Sequence, residues 1–185
     1  MKNCKYCGYI AVQTTIPYPK TIILSKTTLT YNGKAQKPAI VVKDINGKTI
    51  ASSNYTVTYP SGCKNVGSYT VKVTFKGNYS GSKSLTYRIL PKGTKLKTLK
   101  AGSKQLTVKW TKQATQTTGY ELQYALNKKF ASAKTITVKA ATVSKVIKGL
   151  KAKKKYFARI RTYKTVGKKK YYSSWSAVKT ATVKK

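Results

Sequence analysis

Residues 69–76 read Tyr, Thr, Val, Lys, Val, Thr, Phe, Lys, and this alternation constrains the fold more than any other feature of the chain. Successive side chains of a strand point to opposite faces. Tyr69, Val71, Val73 and Phe75 therefore share one side, and Thr70, Lys72, Thr74 and Lys76 the other. Period two over such a length means a half-buried strand. The period returns in Tyr55, Val57 and Tyr59 against Thr56 and Thr58, and in Leu106, Val108 and Trp110 against Thr107, Lys109 and Thr111. It returns again in Tyr120, Leu122 and Tyr124, in Ile136 and Val138, and in Tyr156, Ala158 and Ile160 against Phe157, Arg159, Arg161 and Tyr163. Val, Ile, Tyr and Thr suit a pleated, half-buried surface. Asn32-Gly33 and Asn46-Gly47 are expected to form type I′ hairpin turns, whose two central residues favour positive φ. Short strands with frequent turn signals give the fold class: all-β, as two tandem β-sandwiches.

A chain of 185 residues accommodates two small sandwiches better than one large domain. Pro91-Lys92-Gly93 marks the expected boundary, with one module over 21–91 and another over 94–185. Residues 1–20 form a separate short piece, a Cys-x-x-Cys-Gly knuckle from Cys4 to Gly8 followed by the stiff linker Pro17-Tyr18-Pro19.

Asp and Glu together number 2, Asp44 and Glu121, and His is absent. General acid–base chemistry needs a group that titrates near neutrality, usually His or a shifted carboxylate. A carboxylate pair, a Ser-His-Asp triad and a Cys-His dyad are all excluded by this composition, so an enzyme is not expected. No cofactor is expected either. Sites for Mg²⁺ or Ca²⁺ usually draw on several carboxylates. Cys4 and Cys7 have the spacing of half a zinc site, but a tetrahedral site needs four ligands and Cys63 is the one other thiol. The knuckle reads as one half of a ribbon.

The net charge is +37, and three of the 39 basic residues are Arg. Lys is a hydrated point charge, whereas Arg reads phosphates and bases bidentately, so diffuse attraction to polyanions is expected rather than nucleic-acid sequence readout. The same coat also serves plain solubility. Lys151, Lys153, Lys154 and Lys155 cluster at one loop, and Lys168, Lys169 and Lys170 at another. These are candidate polyanion contacts or solvated loops. Phe157, Tyr163, Tyr171 and Tyr172 are expected to be exposed, as candidate glycan contacts or as ordinary cross-strand packing. No signal peptide and no apolar run of membrane-spanning length is visible. Neither membrane insertion nor oligomerisation is expected.

Four stretches of residues 94–185 resemble a fibronectin type III domain. They are Trp110 as the core Trp of its second strand, Gly119 to Tyr124 as its third strand, Leu150 with Tyr156 as its tyrosine corner, and Ser173-Ser174-Trp175-Ser176 as the turn into its last strand. Ala152 stands where the family often has Pro. The resemblance implies that the Tyr156 hydroxyl bonds back to upstream backbone. It also makes the third and sixth strands neighbours, which places Glu121 opposite Arg159, Arg161 or both on the exposed face of that sheet.

Tyr31 to Lys34, Asn54 to Tyr59, Asn65 to Val71 and Phe75 to Gly81 resemble a bacterial Ig-like module. Ig-like plus fibronectin modules resemble the repeat regions of secreted surface proteins of gut Firmicutes. That resemblance implies export, association with a Gram-positive cell surface, and a chain that is a fragment of something longer. The expected function is a non-catalytic spacer or adhesion module. The alternative is a Lys-rich module for an anionic cell-wall polymer, such as teichoic acid, or for a sulfated glycan, extracellular nucleic acid or a host-surface protein.

Overall fold

The computed structural model describes residues 18–185, so Cys4 and Cys7 lie outside the described residues. Fourteen strands follow in chain order. They are β1 Pro19–Leu24, β2 Thr28–Thr30, β3 Ile40–Asp44, β4 Tyr55–Thr58, β5 Gly67–Phe75, β6 Ser82–Leu90 and β7 Leu96–Gly102. The rest are β8 Gln105–Trp110, β9 Gly119–Ala125, β10 Lys134–Lys139, β11 Ser144–Ile147, β12 Lys155–Val166, β13 Lys169–Tyr172 and β14 Lys179–Thr182. Among the described residues the one helical element is the 3-10 turn Ser52–Asn54. The chain is all-β, with several sheets in sandwich-like arrangements.

Two compact units divide it. One comprises the described residues up to Thr27 together with Pro38–Pro60 and Thr70–Thr86, and the other comprises Thr28–Lys37, Ser61–Tyr69 and Tyr87–Lys185. In the first unit β1 pairs antiparallel with β3, and β4 with β5. Alternation operates as expected: Val71 and Val73 are fully buried while Thr70, Lys72 and Thr74 are exposed. Tyr55 and Phe75, opposite each other in the register, meet edge to face at 6.2 Å.

The two Asn-Gly turns depart from expectation. Gly47 has φ +80, but Asn46 is not left-handed, so the turn is not type I′. Asp44 heads it instead. Its carbonyl accepts from Gly47 N–H at 3.1 Å, and its carboxylate accepts from Asn46 N–H and Lys48 N–H, each at 2.9 Å. An Asp at the first position and a left-handed Gly at the fourth suit a type I turn closed by a bulge. Asn32-Gly33 joins no hairpin, because β2 pairs in parallel with β6 while β3 pairs with β1. Dipeptide chemistry favours a reversal at each site. Which strands then pair is a long-range matter.

The second unit contains a sheet of β11, β8 and β7 and a sheet in which β10, β9, β12 and β13 follow in order, with β14 also on β12. Between them lies a core of Leu106, Val108, Trp110, Tyr120, Leu122, Ile147, Leu150, Tyr156, Ala158, Ile160 and Val183. Apart from Leu150 and Val183, these are the inward-facing residues of the alternation. Trp110 meets Tyr120 edge to face at 5.6 Å. The Tyr156 hydroxyl accepts from Lys151 N–H at 3.1 Å, five residues upstream, which ties the loop that enters β12 to the strand itself. Tyr156→Phe should therefore cost about 1 kcal/mol, the net worth of one such hydrogen bond. Equilibrium denaturation measures this, and a neutral outcome would mean that the hydroxyl does not hold the loop.

Candidate interaction face

On the outer face of the β10-β9-β12 sheet, cross-strand rows follow from the register. Thr137, Glu121 and Arg161 form one row, and Thr135, Gln123 and Arg159 the next. The odd-numbered residues of β12 all point this way, from Lys155 through Phe157, Arg159 and Arg161 to Tyr163 and Thr165.

The neighbour that covers this face arises from a gap. β12 pairs with β14 over Lys155 to Ala158 and with β13 over Tyr163 to Val166, which leaves 159–162 facing irregular chain. Ser173 and Ser176 close the gap. Ser173 Oγ accepts from Thr162 N–H and Ser176 Oγ from Ile160 N–H, each at 3.1 Å. In return, Ser173 N–H donates to the Thr162 carbonyl at 3.1 Å and Ser176 N–H to that of Ile160 at 2.8 Å. Two serines three residues apart thus replace a stretch of strand, and the chain between them carries Trp175 over the sheet.

The Trp175 ring lies between two guanidinium groups, Arg159 at 4.5 Å and Arg161 at 4.3 Å. Arg159 also packs on Phe130 at 4.1 Å, and Arg161 on Tyr172 at 3.9 Å. The result is a continuous stack of Phe130, Arg159, Trp175, Arg161 and Tyr172. Cation–π contacts of partly desolvated Arg contribute about 1–2 kcal/mol each.

The two guanidinium groups differ in their in-plane partners. Arg161 donates from Nε and Nη2 to Glu121 Oε2, at 3.0 and 2.7 Å. Arg159 donates from Nε and Nη2 to the neutral Gln123 Oε1, at 3.0 and 2.8 Å. Glu121 was expected opposite Arg159, Arg161 or both on an exposed face; it pairs with Arg161, and the expected exposure is wrong. Glu121 faces away from the core as the alternation requires, yet it is buried, because the stack lies over it. Burial first, and the neighbouring Arg161 charge second, lower the pKa of Arg159 from its ordinary value. Burial first, then the Glu121 carboxylate, raise that of the Tyr172 hydroxyl.

The aromatic candidates need correction. Tyr163 and Tyr171 are buried, at 8% and 7% exposure, and only Phe157 and Tyr172 are partly open. Each of the four rings has a cation against one face: Lys155 on Phe157, Lys170 on Tyr163, Lys169 on Tyr171 and Arg161 on Tyr172. Tyr163 is buried partly because Gly119, directly opposite in the register, leaves room for its ring.

The seven candidate lysines are all exposed. Lys151, Lys153, Lys154 and Lys155 gather where β12 begins, and Lys168, Lys169 and Lys170 at the hairpin just after it ends. Twelve residues of strand separate the clusters by roughly 36 Å, too far for one compact ligand. Sequence reasoning missed Phe130, Gln123 and the two serine hydroxyls. One available signal was the Arg-x-Arg pair of β12, in a chain whose other basic residues are, but for Arg88, all Lys. Among the described residues no group of three His, Cys, Asp or Glu side chains gathers for a metal, and no helix is long and apolar enough to cross a membrane.

A two-sheet sandwich with a buried Trp in its second strand and a tyrosine corner before its sixth defines a class of β-sandwich modules. Within that class, residues 90–179 match the family model described as the Fibronectin type III domain, and these residues form such a domain. A two-domain fibronectin type III segment from chicken tenascin is 16% identical with a TM-score of 0.52, covering 89% of this chain and 99% of that one. Chicken CNTN1 FN1–FN3 domains are 18% identical with a TM-score of 0.46, covering 91% of this chain and 68% of that one. A beta-1,2-glucanase from Parabacteroides distasonis is 12% identical with a TM-score of 0.42, covering 61% of this chain and 17% of that one. These similarities concern the fold alone. No curated protein matches the chain.

Proposed function

We propose that the chain is a non-catalytic spacer and interaction segment of an exported bacterial surface protein, with an Ig-like module over 21–91 before a fibronectin type III domain over 94–185. The observation that carries this reading is the fibronectin type III match at residues 90–179. A sequence with two acids and no His supports a scaffold rather than a catalyst. The Ser173–Ser176 clamp and the arginine–aromatic stack hold the second module by its own residues, which suits a unit that works within a longer array.

Separate expression of 94–185 tests the modular reading. The fragment should give a dispersed amide spectrum and a cooperative unfolding transition. A collapsed spectrum would remove the idea of independent modules. Location is tested by mild protease treatment of intact producing cells, which should release peptides of this chain. Recovery only after lysis would overturn the surface assignment.

A further inference from the structure

One observation lies outside the spacer role and does not depend on it. In the second unit the one carboxylate side chain, Glu121, is used by Arg161, and Arg159 is left with a neutral amide. A half-buried cation without a counter-charge costs desolvation that water alone does not fully return. Here it is nevertheless held rigidly, between Phe130 and Trp175 in one direction and by two hydrogen bonds to Gln123 in the plane. A guanidinium has five N–H donors, and Gln123 engages two of them. Nη1 has no protein partner among the described residues and is not among the fully buried atoms, so that end of the fork meets solvent. A planar, oriented fork that reaches solvent suits a carboxylate or sulfate group, which it engages bidentately.

Arg159 also stands between the two lysine clusters along one strand. Lys155, Arg159 and Arg161 share the outer face of β12, with Lys151, Lys153 and Lys154 before it and Lys168 to Lys170 after it. We propose that the surface along β12, over the outer edge of the arginine–aromatic stack, is a docking track for an extended anionic polysaccharide, with Arg159 as the anchor and the two lysine clusters engaging the chain on either side. The hydroxyls of Thr135 and Thr137 flank the track on β10, in the rows of Arg159 and Arg161. They offer sugar hydroxyls hydrogen-bonding partners. A single-stranded nucleic acid fits less well. It binds by stacking bases on open rings, and here Trp175 lies between two guanidinium groups while Phe157 and Tyr172 each have a cation on one face.

The test uses the full chain, isotopically labelled, titrated with heparin oligosaccharides of increasing length and with poly(dT) as a comparator. The Arg159 Nε–H and Trp175 Nε1–H resonances should shift together with backbone amides at both lysine clusters. Affinity should rise steeply until the oligosaccharide spans roughly 36 Å, the length of β12. Arg159→Lys keeps the charge but loses the fork and should weaken binding about tenfold. Replacing Lys168, Lys169 and Lys170 by Gln should weaken long oligosaccharides about tenfold and short ones much less. Replacing Lys97, Lys100 and Lys109, on the other sheet, by Gln removes the same charge and should cost no more than about threefold. The titration of the unaltered chain stands even if Arg159→Lys loosens the stack. Three results would overturn the proposal: shifts confined to the lysine loops with Arg159 unmoved, equal losses for both triple variants, or poly(dT) binding as tightly as heparin of equal charge.

Discussion

Gly119→Ala should destabilise the fibronectin type III domain by about 3 kcal/mol, an overpacking cost at the upper end of the usual range. A Cβ on Gly119 would collide with the Val138 carbonyl oxygen and lie 2.8 Å from the Tyr163 hydroxyl and 2.9 Å from Tyr163 Cε1. The first neighbour is backbone of the adjacent strand β10, where Lys139 pairs with Gly119, so relief requires that β10 move. The second is a buried ring that also packs on Tyr172 at 6.2 Å, with Lys170 on its face. A bare glycine opposite an aromatic residue gives the ring a place on the backbone and gives the glycine cover from water. Urea denaturation of Gly119→Ala, Tyr163→Ala and the double variant separates the two clashes. Alanine should cost less in the Tyr163→Ala background but should not become neutral, because the Val138 carbonyl is still there. A cost below about 1 kcal/mol in the unaltered background would mean that β9 and β10 are not so closely paired.

Glu121→Gln should cost about 2 kcal/mol, which is more than an exposed ion pair is worth. The carboxylate takes both of its Arg161 hydrogen bonds on Oε2, beneath a stack whose upper member is Tyr172. Gln keeps an acceptor but loses the charge. The Arg161 guanidinium would then sit beside Arg159 with no negative charge near either. Arg161 retains 24% side-chain exposure, so the full penalty of a buried orphan charge does not apply. The loss should deepen at low ionic strength, where the repulsion between Arg159 and Arg161 is least screened. A cost below about 0.5 kcal/mol, independent of salt, would show that the face is open to water and that the pair is ordinary.

The two variants also show where the sequence was legible. Alternation alone placed Leu106, Val108, Trp110, Tyr120, Leu122, Ala158 and Ile160 inside, and all are buried. It placed Glu121 on the opposite face, and the strand neighbours of the resemblance placed it opposite Arg159, Arg161 or both; the register selects Arg161. It could not reveal that the opposite face is covered. That depends on Trp175, which lies more than fifty residues from Glu121 in the chain and on a segment outside any strand. Exposure of Tyr163 failed for the same reason, because the strand pattern cannot see Gly119, forty-four residues away. The Asn-Gly signals were read as local hairpins, yet only Asn46-Gly47 turns the chain back between neighbouring residues, and it does so through Asp44.

What the sequence determined by itself was the alternating strands and their inward faces where the period is written, as in β4, β5, β8, β9, β10 and β12, and a composition with two carboxylates and no His. Period two is written in consecutive residues, so it survives without any knowledge of the fold. The tertiary structure decided which outward-facing residues meet. It gave Glu121 to Arg161 and Gln123 to Arg159, set Trp175 between the two arginines, and put one lysine cluster at each end of a single strand. Those contacts join residues far apart in the chain through register and loop path, and both are settled only when the sheets close around the common core.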